Sequence, residues 1–215
     1  MALNFPLSLS DFFDDLPVAN VTFKADDNRS FTETGGGELI TAARGARLWG
    51  GQITLDIDSH AKIAAVEAKM SLLEQAGASF MIYDLRKPYP TSDPLGASIS
   101  GASPRISALN VNNREVDLSG LPSGYVISPG DMIAWEYGSS PTRYALHRVV
   151  TGGTASGGLL ASVELTPFLR PGTAVNTPVS LIRPACKAVI DKAAYGSGRS
   201  VITQGGSFNW RQTLR

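Results

Sequence analysis

The stretch "GDMIAWEYGSSPTRYALHRVV" (residues 130–150) decides how the chain is read, because it holds an Asp, a Glu and one of only two histidines. Strand alternation puts Met132, Ala134 and Glu136 on one face and Asp131, Ile133, Trp135 and Tyr137 on the other. After the turn "GSSPT", Tyr144, Leu146 and Val150 share a face, and His147 lies opposite with Ala145 and Val149. The segment therefore predicts two paired strands. In that arrangement Glu136 and His147 meet across the hairpin, but on a wet strand surface and not at a loop mouth. Asp131 follows "SPG" and reads as a turn residue. Asp131 and Glu136, on opposite faces, make a poor carboxylate pair for glycoside cleavage.

Short strands of this kind recur outward from the hairpin. "RISALNVNN" (105–113), "GLLASVELT" (158–166) and "PVSLIRP" (178–184) are separated by Gly-, Pro- and Ser-rich turns, the pattern of an antiparallel barrel or sandwich. The proline-rich "RKPYPTSDPLG" (86–96) is the best internal boundary. Upstream of it, "WGGQITLDID" (49–58) and "ASFMIYDLR" (78–86) read as strands flanking one helix. In "SHAKIAAVEAKMSLLEQAG" (59–77), Ile63, Val66, Met70 and Leu73 recur at three- and four-residue steps and form one apolar stripe. Asp58 or Ser59 is placed to cap its start, and Gly77 to take the left-handed position past its end. The fold class expected is mainly β with one amphipathic helix (α+β), built as β-sandwich or barrel-like modules. The tail adds one strand, "SVITQ" (200–204), and a polar aromatic end.

Composition narrows function. The 215 residues carry 19 Lys+Arg against 19 Asp+Glu, without the basic surplus that nucleic-acid binding normally needs. The single cysteine, Cys186, has no partner in the chain and reads as a buried small apolar residue. The start lacks the basic n-region of a signal peptide. No apolar run approaches the ~20 residues that cross a bilayer, so a soluble chain made in the cytoplasm is expected. His60 and His147 are too few and too scattered for zinc, and His60 reads as an exposed residue of the first helical turn. "TETGGGELI" (32–40) lacks the Lys-Ser/Thr of a P-loop, so the loop Gly35–Gly37 reads as a hairpin tip. "GSGRS" (196–200) is not a nucleophile elbow. Trp49, Trp135 and Trp210 read as packing residues, with a sugar site as the alternative. No catalytic, cofactor-binding or metal-binding residue is assigned. The acidic arm "LSLSDFFDDLP" (7–17) is open between docking Phe12, Phe13 and Leu16 on a neighbour and forming an edge strand or short helix of its own domain.

Taken together, the phrases "RLWGGQITLDID", "HAKIAAVEAKMSLLEQAG", "SFMIYDLRKPYP", "SPGDMIAWEYG", "YALHRVV", "VELTPFLRPGTAVNTPVSLIRPACKAVI" and "SFNWRQTLR" resemble the distal tail proteins of long-tailed bacteriophages and phage-like gene transfer agents. In those proteins a "GD" opens a strand and a "P-x-LR" phrase precedes a loop and a further strand; here these are Gly130, Asp131, Pro167, Leu169 and Arg170. The resemblance covers about residues 40–215. It implies a virion structural protein of the tail tip and baseplate, a hexameric ring joining the tail tube protein to the baseplate hub protein, with no cofactor, no chemistry, no nucleic acid and no membrane. It implies a ring-forming β domain from residues 1–95 plus 188–215, carrying the helix 59–76, and an antiparallel barrel or sandwich from 96–187. Residues 45–86, with parts of both termini, are expected in the ring wall, and 98–187 at its outer side or against neighbouring tail proteins. Two other readings compete: a carbohydrate-binding module with an exposed platform of Trp135, Tyr137 or Tyr144, and a cell-wall hydrolase using Asp131, Glu136 or His147.

Overall fold

The computed structural model describes residues 3–198 and 201–215. The fold is mainly β with one helix, and its sheets curl into half-barrels. Before the helix come β1 (Val18–Val21), β2 (Lys24–Ala25), β3 (Arg29–Glu33), β4 (Leu39–Ala43), β5 (Trp49–Leu55) and β6 (Asp58–Ser59). The helix, α1 (His60–Leu73), is followed by β7 (Phe80–Tyr83), β8 (Arg105–Leu109), β9 (Glu115–Ser119), β10 (Val126–Ile127), β11 (Met132–Tyr137) and β12 (Arg143–Thr151). Last are β13 (Gly153–Thr154), β14 (Leu160–Thr166), β15 (Ala185–Ala194), β16 (Ile202–Thr203) and β17 (Ser207–Gln212).

Two antiparallel sheets carry the structure. The first runs β1-β5-β17-β15-β7, with β2 also on β5; the second runs β11-β12-β14-β9-β8. Helix α1 lays Ile63, Val66, Met70 and Leu73 inward, the four residues of its predicted stripe. It ends at Leu73, shorter than the expected 59–76, and Gly77 takes φ +88° just beyond it. Neither proposed side chain caps its start: Ser59 makes no capping bond, and Asp58 Oδ1 accepts from the Ser59 amide at 2.7 Å instead. The His60 amide donates to the Val201 carbonyl at 2.9 Å, so neighbouring backbone satisfies one of the helix's orphan donors.

The first core gathers Phe12, Phe80 and Phe208 around Met70 and Cys186. The acidic arm contributes to it directly. Residues Phe13–Asp15 form a short 3-10 turn, and Phe12, Phe13 and Leu16 are buried in this chain's own core. That decides between the two readings of the arm in favour of the local helix.

Several strands departed from expectation. Residues 178–184 are not a strand; they make only isolated bridges, Ser180 with Ala134 and Pro178 with Arg105. Strand β9, "EVDLS", was not anticipated, although Val116 and Leu118 alternate inward. The tail holds two long strands, β15 and β17, which pair with Ile190 opposite Trp210. The expected strand "SVITQ" reduces to Ile202–Thr203, and its Ser200, like Arg199 of "GSGRS", lies outside the described residues.

One close approach fixes how β1 and β2 wrap across β5. The Thr22 amide donates to the Gln52 carbonyl at 2.8 Å, which brings the Thr22 carbonyl over Gly51. A Cβ at Gly51 would lie 1.7 Å from that oxygen. Gly51→Ala is therefore expected to lower unfolding stability by about 2 kcal/mol or more, read by urea denaturation. An unchanged midpoint would show that this crossing is loose.

Candidate functional site

The 130–150 hairpin forms as predicted, with Glu136 exposed on its wet side, but Asp131 and His147 are buried. In register, Ile133 faces His147, Trp135 faces Ala145 and Glu136 faces Tyr144. Glu136 and His147 therefore do not meet; they project from opposite faces. His147 is buried, stacked on Trp135 with ring centroids 4.5 Å apart. Its Nδ1 lies 2.6 Å from the Pro167 carbonyl, an acceptor, so Nδ1 carries the proton and donates. Nε2 has no partner among the described residues. Burial, reinforced by the nearby Arg170 charge against the smaller opposing pull of the Pro167 carbonyl, pushes its pKa down to about 4.

Asp131 is buried outright. Its carboxylate accepts from the Ser128 amide at 2.8 Å, closing the predicted turn, and from the Thr91 amide and hydroxyl at 2.8 and 2.7 Å. The residue thus pins the proline-rich stretch to the start of β11. Gly130, at φ +92°, makes the turn that aims it inward. With all these donors on one buried carboxylate, Asp131→Ala is expected to cost about 2 kcal/mol in urea denaturation, the desolvation cost of orphaned donors.

The sugar-platform residues are elsewhere than that reading needs. Trp135 and Tyr137 are buried, and Tyr144 is half-buried. Trp49 and Trp210 are core residues too; the Trp49 indole N–H donates to the Leu146 carbonyl at 2.6 Å. Exposed His60 places Nδ1 3.0 Å from the Thr203 hydroxyl. Cys186 is buried and burial pushes its thiol pKa up. Among the described residues, no group of three His, Cys, Asp or Glu is placed to hold a metal, and no helix is long and apolar enough to cross a membrane.

What the surface does offer is a hairpin and a cleft. β3 and β4 pair only with each other, joined by the tip 34–38 predicted from its glycines. Phe31, Leu39 and Ile40 are 51, 59 and 53% exposed. At the hairpin's base lies a cleft of about 520 Å³, walled by Ala43, Ala46, Pro167, Phe168 and Leu169 and edged by Arg47 and Arg170. Pro167, Leu169 and Arg170, singled out as a phrase preceding a loop, form one wall of it. The base of the hairpin, 126 residues upstream in the case of Ala43 and Leu169 (169 − 43), forms the other.

No protein-family model matches the chain, and no curated protein matches it in sequence.

The His147 geometry sets a pH dependence. The unfolded chain's histidine titrates near 6.5 and the folded one near 4, so between those values only the unfolded state gains the proton. Stability is complete above about pH 6.5 and falls as pH drops toward 4. Between pH 7.5 and 5, wild type should lose about 2 kcal/mol more than His147→Gln in urea denaturation. Equal losses in the two proteins would place the histidine in contact with water.

Proposed function

We propose that the chain is a structural subunit of a phage-type tail tip, a virion protein that closes into a hexameric ring between the tail tube protein and the baseplate hub protein and performs no chemistry. The hexamer and its neighbours come from the resemblance to distal tail proteins. The observation that carries the reading on this chain is the β3–β4 hairpin, which is exposed along both strands and shows Phe31, Leu39 and Ile40 to solvent. A lone two-stranded hairpin is marginally stable in water, and three large exposed apolar side chains on one gain from being covered.

The polar residues an enzyme would use support the same reading. Asp131 is committed to Thr91 and Ser128, His147 is enclosed, and Glu136 is exposed on the other face, opposite Tyr144. Equal numbers of acidic and basic residues leave little net repulsion against self-association.

Light scattering joined to negative-stain imaging tests the proposal. Six-membered rings are expected from wild type, alone or with a tail-tube partner added, and subunits no larger than monomers from the Phe31→Ser/Ile40→Ser variant. A wild-type chain that stays monomeric under both conditions would overturn the ring.

A further inference from the structure

Resting on the ring reading, we propose that the contact between neighbouring subunits seats the acidic tip of the β3–β4 hairpin of one copy in the arginine-edged cleft at the hairpin base of the next.

The tip and the cleft are complementary in charge and in apolar character. Between Arg29 and Arg44 the hairpin has no basic residue, and its two charges are Glu33 and Glu38. Neither makes an ion pair among the described residues. In register Glu33 faces Leu39 and Phe31 faces Thr41, so Phe31, Glu33 and Leu39 share one face, an anion set between apolar groups.

The cleft offers the opposite. Its arginines are Arg29, Arg47 and Arg170. Asp27 grips Arg29 in a two-pronged pair, at 2.5 and 2.7 Å. Arg47 and Arg170 have no carboxylate partner within ion-pair distance among the described residues. Arg170 is half-buried and donates to the Arg47 carbonyl at 2.7 Å, a bond that ties the two arginine segments of the cleft together. Phe168, 59% exposed, supplies the apolar wall that Leu39 and Phe31 would cover.

The tip cannot fill its own cleft. Five residues of strand at about 3.3 Å each put it roughly 15 Å from its base, and a paired hairpin does not fold back on itself. Donor and acceptor surfaces differ and belong to one chain, so the contact is head-to-tail, the kind that closes a ring.

Cysteine cross-linking tests the inference. Gly36→Cys places a thiol at the tip, where a Cβ meets nothing nearer than 3.9 Å; Ala46→Cys places one on the cleft wall of a second, mass-tagged chain. The native Cys186 is buried and stays out of the reaction. Mixed dimers are expected to form faster than with Ser71→Cys, an exposed helix position. Adding Glu38→Lys to the tip chain should slow them about tenfold, and Arg47→Glu in the cleft chain should restore the rate. Mixed dimers no faster than the Ser71→Cys control, or a rate indifferent to the charge swap, would overturn the contact. If wild-type rings are seen in the same buffer, the failure is of this contact alone; if wild type also stays monomeric with the tail-tube partner, the ring reading falls with it.

Discussion

The β11–β12 pair is buried on both faces, and the rest of the molecule is arranged around that fact. Met132, Ala134 and Leu146 project into the core of the first sheet. Ile133, Trp135, Tyr137, Ala145 and Val149 project into the core of the second. Each fully buried large side chain contributes roughly 1.5–3 kcal/mol, so two strands that serve two cores hold the sheets in one mutual position. Polar contacts lock that position. Trp49 and Gln212 of the first sheet donate to the carbonyls of Leu146 and Tyr144 at 2.6 and 3.0 Å, and the Arg148 guanidinium lies 5.1 Å from the centroid of the Trp49 ring.

Burial on both faces also explains the polar residues of the hairpin. Where such a pair is covered, as at Asp131 and His147, a carboxylate or imidazole has no water to turn to and persists only with internal partners; Glu136, at the pair's exposed position, keeps its water. Asp131 finds Ser128 and Thr91, while His147 satisfies one nitrogen with Pro167 and stays neutral. The cluster singled out in sequence is two structural polar groups, Asp131 and His147, and one exposed carboxylate, Glu136, facing different ways.

The same geometry marks where sequence reasoning stops. Alternation correctly sorted residues 131–150 into two faces, because pleat geometry is local. It could not say that both faces were covered, since the second cover comes from β5 and β17, far along the chain. The helix's inward stripe was legible because helical periodicity is local, but its end was not: it stops at Leu73 and not at residue 76. Strands β15 and β17 were missed although Phe208, Trp210 and Gln212 alternate inward; their polar partners Ser207, Asn209 and Arg211 made the segment read as a tail. At the candidate interface the hairpin tip was visible in its glycines, because a turn is written in a few adjacent residues. The cleft was not: it joins residues 43–47 to 166–171, and no local pattern announces a pairing at that separation.

Rigidity and exposure are thus divided between two parts of the chain, and ring closure needs both. A head-to-tail contact closes only if the angle between its two surfaces is constant from copy to copy; otherwise the same contact winds into an open filament. The cleft's far wall, 166–171, follows directly from β14, which pairs with β12 from Arg148 opposite Thr166. Its near wall, 43–47, runs into β5, whose Trp49 is fastened to β12 through Leu146. Both walls are therefore referred to one strand. The doubly buried β12 sets the shape of the cleft, and through it the direction from which a neighbour's hairpin would arrive. A polar group placed in that strand without an internal partner would act on assembly as well as on stability, because it would let the two walls move apart.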